Sequence, residues 1–129
     1  MSIREKYNTG AKWEPIVGYS RAIRIDNTIE VSGTCAVDEE GTVVGKDNAY
    51  LQTKKILEII VNAIETLGGS KEDIVRTRIY ATNIDDWNEI GRAHGELFQT
   101  IRPVTTMVEV SRLIAPEYLV EIEATAMIS

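Results

Sequence analysis

The sequence predicts an α+β domain in which a β-sheet carries two helices packed on one face. Three observations predict it: apolar and polar residues alternate in several short segments, two longer segments have helical apolar spacing, and the two kinds are interleaved. With 129 residues, 43% of them hydrophobic, the chain fits a single domain with one core, taken as residues 1–129.

The first fifteen residues are polar, end at Trp13-Glu14-Pro15 and read as an N-terminal arm. Arg21–Ile25 alternates, Asp26-Asn27 carries turn chemistry, and Thr28–Gly33 alternates again, which predicts a hairpin. Pairing Ile25 with Ile29 and Ile23 with Val31 would place all four on one face across a three-residue loop. Asp38-Glu39-Glu40-Gly41 is a second turn.

From Asp47 the period is helical. Leu51, Ile56, Ile60, Ala63, Ile64 and Leu67 form one stripe, Gln52, Lys55, Glu58, Asn62 and Glu65 face away, and Gly68-Gly69 stops the helix. Ile74–Ala81 reads as a strand with Val75, Thr77, Ile79 and Ala81 on one face. A second helix starts near Asn83 or Asp85 and carries Trp87, Ile90, His94 and Leu97 on its apolar face. Gly91 and Gly95 inside it each cost about 1 kcal/mol relative to alanine, which predicts close approach of another backbone. After Pro103 the alternation resumes through Val110, and Leu119–Ile128 follows as its partner in a final hairpin whose core face is Val120, Ile122, Ala124, Ala126 and Ile128.

The net charge of −6, from 20 acidic and 14 basic residues, opposes a polyphosphate partner because the basic residues are dispersed; nucleic acid is not expected. Cys35 and His94 are single, so a Cys/His zinc site is not expected, and neither a phosphate-binding glycine loop nor GxSxG occurs. The expectation is no metal and no cofactor. No apolar stretch approaches the roughly 18 residues of a membrane span and no signal-like segment opens the chain, which gives the expectation of a cytoplasmic protein.

Glu121 and Glu123 leave one strand face roughly 7 Å apart at about 3.3 Å per residue, and can divide acid and base roles or simply be solvated. Glu109 could join them. His94 is either a proton carrier or a structural imidazole on the apolar stripe. Cys35 has no cationic sequence neighbour to lower its pKa and reads as a small buried residue. Ser32-Gly33-Thr34 offers hydroxyls and an accessible backbone. Arg102 can clamp a carboxylate or cap the second helix.

Tyr19-Ser20-Arg21-Ala22-Ile23, Ile29-Glu30-Val31-Ser32-Gly33, Arg102-Pro103-Val104-Thr105-Thr106-Met107-Val108-Glu109-Val110 and Val120–Ala126 together resemble the Rid family. It is also called YjgF/YER057c/UK114, and its members are labelled reactive intermediate deaminases or endoribonuclease L-PSP. The resemblance runs from about Tyr19 to Ile128. It implies a chorismate-mutase-like α+β fold, self-association as a homotrimer, and clefts between neighbouring subunits that bind a small-molecule ligand. It also implies hydrolysis of enamine or imine intermediates, with Glu121 placing water and Tyr19, Ser32 and Gly33 at the substrate.

The resemblance breaks at Thr105, where the deaminases carry the arginine that holds the substrate carboxylate, a bidentate contact no hydroxyl reproduces. Met107 and Gly91 also differ, from a cysteine and an asparagine. The expected ligand contacts are therefore Ser32, Gly33, Arg102, Thr105 and Thr106, with Arg102 entering from the rim. A metabolite-binding trimer without turnover is the alternative, followed by RNA cleavage or inhibition of translation.

Overall fold

Asp26, at a φ of 52°, closes the first hairpin in two residues, a conformation that Asp and Asn tolerate better than most side chains and that matches the twist of paired strands. In the computed structural model, which describes residues 2–129, β2 (Ala22–Ile25) and β3 (Thr28–Thr34) pair Ile25 with Thr28 and Ile23 with Glu30. The expected three-residue loop is one residue too long. A one-residue slip exchanges the faces of a strand, so Ala22, Ile29 and Val31 are buried while Ile25 is 36% exposed. The segment read as an arm is partly sheet, since β1 (Arg4–Tyr7) pairs antiparallel with β2 as a polar edge strand.

The six strands run in the order β1-β2-β3-β6-β4-β5. β4 (Ile74–Ala81) and β5 (Val104–Glu109) are parallel, joined by the crossover through α2 (Trp87–Phe98). β6 (Val120–Met127) is antiparallel to both β3 and β4. The expected final hairpin is therefore wrong: β5 and β6 are not neighbours, and β6 occupies the middle of the sheet. That position explains the complete burial of Val120, Ile122 and Ala126. On β4, an irregularity between Ile74 and Arg76 turns Val75 outward and puts Ile74 in the core with Thr77, Ile79 and Ala81.

Both main helices cover one face of the sheet. α1 (Ala49–Thr66) begins where Asn48 Oδ1 accepts from Leu51 N at 2.9 Å and ends before Gly68 at a φ of 96°. Two of its positions invert the expected stripe: Leu51 is exposed and Gln52 is fully buried. The amide of Gln52 is saturated, donating to Gly45 O and Glu117 O and accepting from Leu119 N, so it ties the helix to the segment entering β6. α1 lies over β3 and β6 and against α2. Asn83 caps a short helical turn, Ile84–Asp86, that leads into α2. Among the described residues of one copy no backbone approaches Gly91 or Gly95, contrary to expectation: a Cβ added at either meets no atom within 4 Å.

Candidate ligand-binding site

On β3, Ser32 and Gly33 together face only Glu123, because Val31 pairs with Ala124 and Thr34 with Ile122. This bulge brings Gly33 beneath Glu121. A Cβ on Gly33 would collide with Glu121 Oε2, so the carboxylate lies over the bare Cα. Its other oxygen, Oε1, accepts from Cys35 Sγ at 3.2 Å. Burial pushes the Cys35 thiol far up, and the Glu121 charge adds to this, so the thiol stays protonated and donates. Tyr118 belongs to the same group: burial raises its pKa, and the negative charges of Glu117 and Glu121 add to this.

The bulge is held from behind by a buried ion pair that sequence reasoning did not single out. Arg21 Nη1 donates to Gly33 O at 2.7 Å and to Thr34 Oγ1 at 3.1 Å, while Nη2 reaches Tyr19 OH at 3.2 Å. Arg21 Nε lies 3.5 Å from Glu14 Oε2, with both side chains almost wholly buried. Glu14 also accepts from Thr9 N and Thr9 Oγ1. Nothing local separates Arg21 or Glu14 from surface charges; the only hint is Arg21 opening an alternating strand. Ser32 is committed to the scaffold, since its N and Oγ both donate to Arg21 O.

Glu121 and Glu123 share the helix-free face, as their spacing requires, but their surroundings differ. Glu123 Oε1 accepts from Tyr80 OH at 2.9 Å and lies 3.6 Å from Arg78 Nη1, and that hydrogen bond is the main reason the Tyr80 pKa is raised. Glu109 does not join them. It sits beside Ala81 on the helix side, where Oε1 accepts from Ile84 N at 2.9 Å. An open concavity of about 780 Å³ on the helix-free face is lined by Lys6, Tyr19, Ile23, Glu30, Ser32 and Glu123.

Thr105 lies on the opposite face. Its Oγ1 is 2.8 Å from Thr77 Oγ1, which is 2.9 Å from His94 Nε2. Burial lowers the His94 pKa to about 4, so the imidazole is neutral, and its ring packs against Phe98. Thr106 is exposed beside Arg78. Arg102 ends α2 through its backbone, in a left-handed conformation with φ 55° and N donating to Phe98 O; its exposed guanidinium joins none of the ion pairs among the described residues. Within one copy, then, the structure gathers Tyr19, Ser32, Gly33 and Glu121, and leaves Thr105 and Arg102 apart from them.

The family model described as endoribonuclease L-PSP matches residues 9–128. The chain is a member of this family, the Rid or YjgF/YER057c/UK114 family. A Rid structure from Mycobacterium tuberculosis, described as a member of the YjgF/YER057c/UK114 family, is 44% identical with a TM-score of 0.89, covering 98% of this chain and 100% of that one. Among Rid relatives by sequence, a RutC family protein of Pyrococcus abyssi is 34% identical, covering 88% of each chain. The 3-aminoacrylate deaminase RutC of Acinetobacter baylyi is 33% identical, covering 87% of this chain and 88% of its own. The six-stranded sheet with two main helices is the fold of these Rid structures. No helix of the described residues is long and apolar enough to cross a membrane.

Proposed function

We propose that copies of this chain associate as a homotrimer, so that the Glu121 face of one subunit and the Thr105 face of the next bound a cleft for a small metabolite. The opposite-face placement of Glu121 and Thr105 supports this, because two faces of one sheet serve a common site only across two copies.

In that cleft the chain hydrolyses an imine, an enamine or a related carbonyl compound. The observation that carries the reading is the Glu121 carboxylate laid over Gly33 and anchored at one oxygen by Cys35. A carboxylate held this way can take a proton from water as the water adds to the C=N carbon. An enamine first takes a proton at carbon to become the imine; Glu121 then passes the proton from water to the nitrogen, and collapse of the adduct moves the hydroxyl proton to nitrogen, breaks the C–N bond and leaves C=O and ammonia. The 33% identity to a 3-aminoacrylate deaminase, whose substrate is an enamine, favours the same chemistry. Thr105, where the Rid deaminases carry their carboxylate-binding arginine, makes 2-aminoacrylate a poor candidate substrate. The same feature favours the second reading, a trimer that binds a metabolite without turnover. RNA cleavage, which the family description suggests, meets a net charge of −6.

The test is release of carbonyl product and ammonia from freshly generated 3-aminoacrylate, 2-iminobutyrate and 2-aminoacrylate, with Glu121→Ala as the control. Turnover of at least one of them that falls at least 100-fold in the variant is the expected result, with slow rates for all three because each carries a carboxylate that Thr105 cannot hold. Binding without turnover would select the second reading. Light scattering should give three times the monomer mass, and a monomer would remove the intersubunit cleft.

A further inference from the structure

At 100° per residue, Gly91 and Gly95 of α2 stand 60° and 100° from His94 on one side, whereas Arg92 and Glu96 turn toward Tyr50 and Lys54 of α1. Buried Ala93 and half-buried Leu97 stand about 100° and 60° from His94 on the opposite side, so the glycines border the less covered side of α2. With α1 over β3 and β6, that is the side of the free edge strand β5. Nothing among the described residues fills the space, since a Cβ at either glycine meets no atom within 4 Å. Two helix-interior glycines cost about 1 kcal/mol each, and no contact among the described residues accounts for them.

A line of hydrogen bonds leads from the interior to Thr105 on β5, the edge strand that this side of α2 borders. His94 Nε2, Thr77 Oγ1 and Thr105 Oγ1 are joined at 2.9 and 2.8 Å; Thr77 is fully buried and Thr105 is exposed. Every member is uncharged, because burial keeps His94 neutral. The line can run either way. If Nε2 accepts from Thr77, the Thr105 hydroxyl points inward and offers its lone pairs outward; with the other tautomer, the Thr105 proton is released to Pro103 O, at a long 3.4 Å, or to an outside acceptor. It can therefore complement a donor or an acceptor, and it supplies no charge to offset an anion.

We propose that the shelf of Gly91 and Gly95, with Thr105 as its hydrogen-bonding end, takes an uncharged polar group of the ligand, an amide, carbonyl or hydroxyl, in place of a carboxylate. This rests on the cleft reading above and specifies its substrate class. Thr105 sets the specificity, and Thr77 and His94 position it.

Matched pairs differing only in charge test this: pyruvate with pyruvamide, 2-oxobutanoate with 2-oxobutanamide, and benzoate with benzamide. Affinities come from titrations that follow the Gly91 and Gly95 amide signals by NMR. The uncharged member of a pair should bind at least 10-fold more tightly. Thr105→Val should abolish the preference, Thr105→Ser should restore it, and Thr105→Arg should reverse it. Gly91→Leu, whose side chain enters open space, should keep or raise the thermal midpoint and lose binding. Equal or tighter binding of the carboxylates overturns the proposal while leaving the cleft in place, and if Arg102→Ala removes that binding, Arg102 is the anion contact. Binding of neither member of any pair overturns both the proposal and the cleft.

Discussion

Cys35 Sγ lies 3.2 Å from Glu121 Oε1, with the thiol as donor. Because burial first and the Glu121 charge second hold this thiol far above its ordinary pKa, Cys35 is not a nucleophile. Iodoacetamide at pH 8 should leave Cys35 unmodified while a free thiol reacts completely. Glu121→Gln removes the negative neighbour and should speed alkylation several-fold. A native rate equal to that of free thiol would falsify the assignment.

Gly33 is required by the side chain above it. Gly33→Ala puts a Cβ into Glu121 Oε2 and should cost about 1–3 kcal/mol, the range for overpacking a fitted site. In urea denaturation, the double variant Gly33→Ala/Glu121→Ala should recover most of that loss. Additive single effects would show that the clash lies elsewhere.

The buried Arg21–Glu14 pair props the bulge from behind. Arg21→Ala leaves Glu14 buried without its cation and should cost about 3–5 kcal/mol. Arg21→Met with Glu14→Gln should lose much less stability than Arg21→Ala, and the proposed hydrolysis should still fall, because Gly33 O and Tyr19 OH lose their donor. Unchanged turnover in the double variant would separate the pair from the site.

His94 makes stability depend on pH. Its folded pKa of about 4 lies below the ordinary 6.5, so between these values the unfolded chain binds the extra proton. Its contribution is complete above pH 6.5 and is lost as pH falls toward 4. Denaturation midpoints measured at pH 7, 5.5 and 4.5 should decline, and His94→Gln should flatten the decline. An identical slope in that variant would place the titration on other groups.

Where a residue's burial follows from local period, the sequence was readable. Alternation named Val120, Ile122, Ala124, Ala126 and Ile128 as the core face; the first four are buried, and Ile128, past the end of β6, is half-buried against the core. The α1 stripe was readable except at Leu51 and Gln52, where an amide tied to Gly45, Glu117 and Leu119 outweighs hydrophobicity. Register and neighbours were not readable. The Asp26-Asn27 turn is one residue tighter than the isoleucine pattern suggested, and β6 pairs with β3 and β4 instead of β5. Alternation assigns a strand's faces but carries no information about which strand lies beside it.

By itself, then, the sequence determined the α+β class, the faces of its central strands and, through the Ser32-Gly33 and Val120–Ala126 segments, its family. The tertiary structure decided the rest of the site. Cys35 and Glu121 are 86 residues apart, and only the β3–β6 pairing with its bulge sets a thiol and a bare Cα against one carboxylate. Only the β4–β5 pairing turns Thr105 to the helix side and ties it to Thr77 and His94, away from Glu121. The physical reason is that periodicity is a property of neighbouring residues, whereas strand order and register are chosen by the free energy of burying the whole sheet at once.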